Sequence, residues 1–213
     1  MPGVDPGRLR GLYVITPGRP LPDLTERVAL ALQGGARIVQ YRDKGRDKAR
    51  RYREAKALAD LCHRRDALFI VNDDPVLALE SDADGVHLGR DDAPLNEARR
   101  LLGHGRIIGV SCYADPARAE AAARTGADYL AFGRFHPSRT KPEAVQAHPE
   151  LLGQARPLGR PLVAIGGITA ENGGPLVAAG ADMLAVVEAV FSAADIRAAA
   201  TALSRLFSEE SRT

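Results

Sequence analysis

The hydrophobic residues of this chain fall into short runs that are almost wholly apolar, separated by longer segments rich in alanine and charged side chains. Apolar runs without polar alternation are typical of β-strands buried on both faces, which occur in parallel sheets covered by helices. The predicted strands are Leu12–Thr16, Arg37–Tyr41, Leu68–Val71, Gly85–Leu88, Ile107–Val110, Tyr129–Phe132, Leu162–Ile165 and Met183–Val187.

The segments between these runs are predicted to form helices. Gly-Ala-Arg at 35–37 and Gly-Ala-Asp at 126–128 and 180–182 recur directly before strands, where each glycine ends a helix. Ser81-Asp82-Ala83-Asp84 occupies an equivalent place without the glycine. The predicted helices are Leu24–Gln33, Lys48–Arg65, Pro75–Glu80, Leu95–Leu102, Pro116–Thr125, Pro149–Ala155, Pro175–Ala179 and Asp195–Phe207.

This alternation of eight strands and eight helices predicts an α/β fold, a single (β/α)8 TIM barrel. A doubly wound open sheet is the main alternative, but no Gly-x-Gly-x-x-Gly follows the first strand. One domain is expected over 1–213, with short flexible tails at about 1–9 and 208–213. Because glycine and proline are poor in helix interiors, Gly173-Gly174-Pro175 predicts that the seventh helix begins late, near Pro175, after a looser loop through Asn172.

Composition narrows the class of protein. The chain has 213 residues, 45% hydrophobic and 26% charged, which is typical of a soluble globular protein, and its net charge of +2 does not indicate a nucleic-acid partner. The sequence has no visible secretory signal and no apolar run near the ~18 residues of a membrane span, so a cytoplasmic protein without a membrane partner is expected. Cys62 and Cys112 form no metal-ligand cluster and are interpreted as buried or idle thiols.

Polar residues follow several strands, at the end where active sites of such barrels are built. Alternation places Gln40, Arg42 and Lys44 on one face at the end of the second strand, and this set suits a diphosphate. Alone, these residues could equally form a charged loop in water.

Acidic residues end the next two strands. Asn72-Asp73-Asp74 follows the third strand, and Asp91-Asp92 follows the fourth. Acids on neighbouring strands favour a shared Mg2+, which prefers oxygen ligands, although isolated Asp pairs are more often solvated turns. Asp74 is expected to cap the helix that Pro75 opens.

The remaining strand ends suggest a second anion site. Ser111 is interpreted as a hydrogen-bonding residue, because no nearby base makes it or Cys112 a nucleophile. His87 is interpreted as a hydrogen-bonded structural residue rather than a metal ligand. The hydroxyls and cations around 138–142 indicate a phosphate grip, and Gly166-Gly167 can offer backbone N–H groups to an anion.

Six motifs in register over nearly the whole chain resemble the thiamine-phosphate synthase family. They are Gln40–Lys44, Asn72–Asp74, Val86–Gly89, Gly109–Ser111, Ser138–Pro142 and Ala164–Ile168. The resemblance implies a Mg2+-dependent transferase that joins hydroxymethylpyrimidine diphosphate to a thiazole phosphate. Diphosphate leaves first in that reaction, and the thiazole nitrogen then captures a pyrimidine methyl cation.

The resemblance also implies the roles of individual residues. Asp73 and Asp92 are expected to bind Mg2+, and the expected catalytic residues are Arg42, Ser111 and Lys141. The pyrimidine diphosphate is expected to contact Gln40, Tyr41, Arg42, Asp43, Lys44, Asn72, Ser111 and Lys141. The thiazole phosphate is expected to contact Ser138, Arg139, Thr140, Gly167, Val187 and Glu188.

Four residues depart from the family pattern. Arg90 stands where glutamine is common, Arg134 where proline is common and His136 where an aromatic residue is common. Glu188 replaces a serine or another small neutral or polar residue. A carboxylate ~4 Å from a phosphate would cost on the order of a few kcal/mol. Either the Glu188 side chain points away, or Arg134 or Arg139 neutralises it, or only its backbone N–H meets the phosphate, and the last alternative is favoured.

Two other functions remain open on this fold. A thiazole tautomerase would need neither Mg2+ nor a diphosphate site, and Asn72-Asp73 and Gln40–Lys44 argue against it. A non-catalytic thiazole-phosphate-binding protein would have no need of both acids together with Lys141. The sequence leaves open whether the thiazole carries a carboxylate and which oligomeric state the chain adopts.

Overall fold

Eight parallel strands close into a barrel in sequence order in the computed structural model, which describes residues 5–137 and 145–209. Each strand pairs with its neighbours in the chain, and β8 pairs with β1 to complete the closure. The strands are β1 (Gly11–Ile15), β2 (Ile38–Tyr41), β3 (Leu68–Asn72), β4 (Gly85–Leu88), β5 (Ile107–Tyr113), β6 (Tyr129–Phe132), β7 (Leu162–Ile165) and β8 (Met183–Val186). The predicted (β/α)8 barrel is therefore confirmed, and an open sheet is excluded.

Helices follow the strands around the outside of the barrel. They are α1 (Leu24–Gln33), α2 (Lys48–His63), α3 (Pro75–Glu80), α4 (Leu95–Leu102), α5 (Pro116–Thr125), α6 (Glu150–Ala155), α7 (Gly174–Ala178), α8 (Glu188–Phe191) and α9 (Ile196–Glu209), with short 3-10 helices at Pro6–Arg8 and Arg156–Leu158. Among the described residues, no helix is both long and apolar enough to cross a membrane.

The late start of the seventh helix is confirmed. α7 begins at Gly174, one residue before Pro175, and no regular helix runs from Thr169. Asn172 closes the preceding loop, since its Oδ1 accepts a hydrogen bond from the Thr169 N–H at 2.8 Å and its Nδ2 donates to the Gly167 carbonyl at 3.0 Å.

Several predicted boundaries are wrong, mostly by one or two residues at element ends. The larger error is at β5, which continues past Val110 to Tyr113 through a shift of register against β6. The helix α8 was not predicted, because four residues are too few to show a helical period. Leu9, in the predicted flexible tail, is buried against the inner residues of the barrel.

Alternation along the strands divides the hydrophobic core into two layers. Side chains such as Tyr13, Ile70 and Tyr129 fill the barrel, while Val14, Phe69 and Val71 pack outward against the helices. Burial on both faces explains why the strands are almost wholly apolar in the sequence.

An aspartate directly precedes β4, β6 and β8. The hydrogen bonds of its carboxylate explain why aspartate recurs before these strands. One carboxylate oxygen of Asp84, Asp128 and Asp182 accepts the N–H of Phe69, Ile108 and Leu162, respectively, at 2.7, 2.7 and 2.8 Å. The same carboxylates pair with His63, Arg99 and Arg156 on the flanking segments. The repeat therefore stabilises the amino-terminal face of the barrel, away from the strand ends where such folds bind substrates.

Candidate functional site

A cavity of about 370 Å3 opens at the carboxyl ends of the strands. It is larger than a single phosphate requires and within the usual range of ligand pockets. Residues predicted from the sequence that line it are Gln40, Arg42, Asn72, Ser111, Gly167, Val187 and Glu188. The predicted residues Ser138, Arg139, Thr140 and Lys141 lie outside the described part of the chain.

The end of β2 is fixed by a reciprocal contact with the end of β1. Thr16 Oγ1 donates to the Arg42 carbonyl at 3.0 Å and accepts the Arg42 N–H at 2.8 Å, which keeps residue 42 extended beyond the strand. Gln40 and Arg42 consequently both face the cavity, as alternation predicted. The Arg42 guanidinium lies against Gly18, where a Cβ would clash with Nη1.

Tyr41 and Asp43 occupy the opposite face of the same segment. The Tyr41 hydroxyl donates to Glu54 Oε2 at 2.6 Å, and Asp43, whose side chain is 2% exposed, pairs with Arg50 at 2.5 Å. Neither side chain belongs to the cavity lining. Their part in this site is to hold the loop that carries Arg42 and Lys44, because Asp43 Oδ1 also accepts the Gly45 N–H.

Three charged groups meet where the loops after β2, β3 and β4 approach one another. Lys44 Nζ lies 2.5 Å from Asp73 Oδ2, and the carboxyl groups of Asp73 and Asp92 are close enough to share a hydrogen bond. Asp92 Oδ2 also accepts the Gly89 N–H at 2.6 Å, which fixes this carboxylate at the end of β4. The structure thus brings together both acids that were predicted to share a cation.

The two carboxyl groups have opposite pKa shifts. Burial works against ionisation of Asp73, but hydrogen bonding to Lys44 and Asp92 outweighs it and holds the Asp73 pKa below its ordinary value. Burial and the adjacent Asp73 carboxylate together raise the pKa of Asp92. Two neighbouring carboxylates repel each other when both are ionised. A proton on one of them, a nearby lysine or a bound metal ion reduces this repulsion.

The neighbours of Asp73 have distinct positions. Asn72 ends β3 and lines the cavity. Asp73 has a positive φ of 67°, and its N–H donates to the His87 carbonyl at 2.8 Å. Asp74 accepts the Leu77 N–H at 2.9 Å, so its predicted role as the cap of α3 is confirmed.

His87 faces the barrel interior and contacts Ser111. Its Nδ1 lies 2.9 Å from the Tyr129 hydroxyl and its Nε2 lies 2.8 Å from Ser111 Oγ, which confirms a hydrogen-bonded histidine. The prediction that no base lies near Ser111 is wrong. Two residues on adjacent strands, 24 positions apart in the sequence, are brought together by barrel closure.

The loops after β6 and β7 form the other side of the cavity, and hydrogen bonds between them hold them together. The N–H of Phe135 donates to the Ile165 carbonyl at 3.1 Å, and that of His136 donates to the Gly166 carbonyl at 3.0 Å. Gly167 has φ 63°, and a Cβ there would lie 2.3 Å from the Pro137 carbonyl oxygen. A glycine is therefore required for the loops after β6 and β7 to approach this closely.

The unpredicted helix α8 follows β8 directly and places Val187 and Glu188 at the cavity. The first N–H groups of a helix have no acceptors within it, so they can serve an anion. Glu188 is an exposed residue.

Several lining residues were missed from the sequence. Tyr13, Tyr113 and Arg134 line the cavity, although the sequence placed Tyr13 in a strand without a further role and did not single out Tyr113. The place of Tyr13 within an apolar strand was a usable signal in the sequence, since a tyrosine hydroxyl inside a barrel needs a hydrogen-bond partner. Arg90, a departure from the family pattern, lies over the Tyr113 ring with its guanidinium carbon 4.8 Å from the ring centroid.

The fold and cavity define a class: a (β/α)8 barrel whose strand ends line a cavity with Arg42, Arg134, Gly166 and Gly167, while Lys44 and the carboxyl groups of Asp73 and Asp92 meet on the loops after β2, β3 and β4. Such a lining can hold a ligand with two anionic ends.

Comparison with known proteins identifies the family. Residues 12–190 match the family described as thiamine monophosphate synthase. Thiamine-phosphate synthases from Nitrosococcus oceani and Thiobacillus denitrificans are each 53% identical, over 93% and 94% of this chain and 93% and 96% of their own lengths. The solved structure of thiamine phosphate pyrophosphorylase from Pyrococcus furiosus is 37% identical with a TM-score of 0.88, covering 96% of this chain and 98% of its own. The chain belongs to the thiamine monophosphate synthase family, and it is a transferase of thiamine biosynthesis.

Proposed function

We propose that the chain joins hydroxymethylpyrimidine diphosphate to a thiazole phosphate, releases diphosphate and uses Mg2+ held by Asp73 and Asp92. The observation that carries this proposal is the meeting of Lys44, Asp73 and Asp92 beside a cavity that also presents Gln40 and Arg42. A site with cations and paired acids at one side suits a diphosphate that arrives with a metal ion. A thiazole tautomerase would have no use for this side of the site.

The donor set fits Mg2+. Asp73 and Asp92 supply carboxylate oxygens from neighbouring strand ends, and no group of three or more His, Cys, Asp or Glu side chains suited to a metal occurs within 5–137 and 145–209. Mg2+ is commonly held by one or two carboxylates, with waters and substrate phosphates completing its shell. When bound, the ion would neutralise charge that develops on the departing diphosphate.

The chain's own residues bind and orient the substrates. Arg42 and Lys44, with Lys141, are proposed to hold the diphosphate and stabilise its charge as the bond to carbon breaks. Asn72 and Gln40 line the cavity from β3 and β2 and are proposed to contact the pyrimidine. Positioning both reactants in one cavity would let the thiazole nitrogen capture the cation before water does.

The second anion site is proposed at the loops after β7 and β8. Gly167 and the first turn of α8 line the cavity beside the loop that leads to Ser138, Arg139 and Thr140. These backbone and side-chain donors suit the thiazole phosphate, and the Glu188 contact is proposed to be made by its backbone N–H rather than by its exposed carboxylate.

Product formation tests the proposal. The purified chain is supplied with pyrimidine diphosphate, thiazole phosphate and Mg2+, and thiamine phosphate and diphosphate are measured by chromatography. We expect both products in equal amounts, and neither when any one component is omitted. A parallel assay with the carboxylated thiazole phosphate alone detects isomerisation. Isomerisation without any thiamine phosphate would replace the synthase proposal with a tautomerase.

A further inference from the structure

A buried chain of hydrogen bonds crosses the barrel and joins five strands. Gln40 Nε2 on β2 donates to the Tyr13 hydroxyl on β1 at 2.7 Å, and this hydroxyl lies 2.8 Å from that of Tyr129 on β6. Tyr129 then contacts His87 Nδ1 at 2.9 Å, and His87 Nε2 contacts Ser111 Oγ at 2.8 Å. Both ends of this chain, Gln40 and Ser111, line the cavity, as do Tyr13 and His87, whereas the fully buried Tyr129 does not.

Tyr129 is held in the middle by rings on either side. Its ring lies edge-on to Tyr13, with centroids 6.1 Å apart, and is stacked with His87 at 5.6 Å and 17°. A Cβ on Gly109 would lie 1.9 Å from the Tyr129 ring, so only glycine at this position leaves room for it. The Tyr129 hydroxyl is therefore held between the Tyr13 hydroxyl and His87 Nδ1.

Counting protons gives the chain a direction. Burial raises the pKa of both Tyr13 and Tyr129, so each keeps one hydroxyl proton to donate. One assignment that gives each bond a single proton has Tyr13 donate to Tyr129 and Tyr129 donate to His87 Nδ1, with the imidazole proton on Nε2. This imidazole proton is then donated to Ser111 Oγ. Every bond receives one proton, and the Ser111 proton is left for the cavity.

We propose that Tyr129 is a positioning residue which, through Tyr13 on one side and His87 on the other, fixes the Gln40 amide and the Ser111 hydroxyl for the pyrimidine substrate. This inference rests on the proposed function. The Gln40 carbonyl oxygen becomes an acceptor at the cavity, and Ser111 becomes a donor. In this assignment His87 Nε2 donates to Ser111 Oγ, so the His87–Ser111 contact orients a hydroxyl rather than creating a nucleophile.

The first test removes the central hydroxyl by Tyr129→Phe, which keeps the ring. We expect kcat/KM for the pyrimidine diphosphate to fall roughly ten-fold, the scale of one or two misdirected hydrogen bonds. KM for the thiazole phosphate should stay unchanged, because the network does not include Gly167 or α8. Ser81→Ala is the matched control: it removes another buried hydroxyl, bonded to the Leu77 carbonyl at 2.7 Å, directly after α3 and outside the cavity lining. This control should lower the melting temperature without altering either kinetic constant.

The second test divides the network into its two arms by double-mutant cycles. Tyr13→Phe interrupts the arm to Gln40, so its effect should be reduced in a Gln40→Ala background and unchanged in a Ser111→Ala background. His87→Asn interrupts the other arm, so it should show the opposite pattern. These two variants also serve if Tyr129→Phe does not fold, with circular dichroism confirming the fold of each.

The outcomes separate this inference from the proposed function. Wild-type protein that makes no thiamine phosphate contradicts the proposed function. Wild-type activity combined with a Tyr129→Phe variant that keeps its kcat/KM, or with additive effects in both the Tyr13–Gln40 and the His87–Ser111 cycles, contradicts the positioning role alone. A covalent adduct on Ser111, detected by mass spectrometry during turnover, would also overturn the assigned direction of the His87–Ser111 bond.

Discussion

The ammonium of Lys44 lies 2.5 Å from Asp73 Oδ2, and this ion pair joins the loop after β2 to the loop after β3. The Lys44 side chain is 56% exposed, so it is free to move if a ligand replaces either partner. In the proposed reaction Mg2+ and a diphosphate arrive together. The metal ion would pair with Asp73, and the diphosphate would pair with Lys44. Under the proposed function, Lys44 would occupy the metal's place at Asp73 until the diphosphate binds.

Replacing Lys44 with methionine should have opposite effects on metal and substrate. Without substrate, removing the competing ammonium should tighten Mg2+ binding a few-fold, since exposed ion pairs contribute about 0.2–1 kcal/mol. KM for the pyrimidine diphosphate should rise by roughly ten-fold, because a charge-assisted contact to phosphate is lost. Titration calorimetry with MgCl2 and steady-state kinetics measure the two effects. Weaker Mg2+ binding by the variant would contradict this account.

Two adjacent aspartates provide a matched pair for the metal. Asp73→Asn should abolish measurable Mg2+ binding in the absence of substrates, because an amide is a poorer ligand than a carboxylate and Asp92 is left alone. Asp74→Ala should leave Mg2+ binding intact and lower the free energy of unfolding by about 1 kcal/mol, since it removes the cap of α3. Calorimetry and urea unfolding distinguish the two. Equal Mg2+ affinity in Asp73→Asn and wild type would rule out the proposed metal site.

Asp43 should make stability depend on pH. Burial works against its ionisation, but hydrogen bonds from Arg50 and the Gly45 N–H hold its pKa below the ordinary value. A lowered pKa in the folded state stabilises the protein above the unfolded pKa of about 3.9, and this contribution is lost as the pH falls through the folded value. We expect Asp43→Asn to reduce the free energy of unfolding at about pH 7 by about 1–3 kcal/mol, and the difference from wild type to shrink toward about pH 3.

The control for Asp43 is an exposed ion pair. Asp66 contacts Arg8 at 2.9 Å, but its side chain is 88% exposed, so Asp66→Asn should change stability little at either pH. Urea unfolding of both variants at the two pH values makes the comparison. A constant difference between Asp43→Asn and wild type across this range would show that ionisation of Asp43 is not the cause.

Replacing the Glu188 side chain should have little effect on binding of the thiazole phosphate. Its side chain is exposed at the first position of α8, and the proposed contact with the thiazole phosphate uses the backbone. Glu188→Ser should therefore change KM for the thiazole phosphate by no more than about two-fold, the scale of a screened surface charge. A large gain in affinity would mean that the carboxylate opposes the phosphate directly.

The element pattern was readable from the sequence because strands buried on both faces consist of short apolar runs, and the runs alternate with helices. The bounds of β4, β6 and β7 and the late start of α7 were obtained in this way. The predicted fifth strand ended too early, because Ser111 and Cys112 look like loop residues in the sequence. In the structure, pairing of β5 with β6 continues to Tyr113. The four-residue helix α8 left no periodic signal.

The features of the site also divide into those that the sequence predicted and those that only the tertiary structure established. Local alternation sufficed to separate Gln40 and Arg42, which face the cavity, from Tyr41 and Asp43, which face outward, and Asp74 was recognisable as a cap beside Pro75. The sequence by itself determined which residues stand at strand ends and which face each takes, since these depend on near neighbours in the chain. Only the tertiary structure decided that His87 meets Ser111, that Lys44 pairs with Asp73 and that Tyr13 and Tyr129 connect opposite sides of the barrel. These contacts join distant segments, and they exist because closing the sheet brings its inward-facing side chains and its strand ends together.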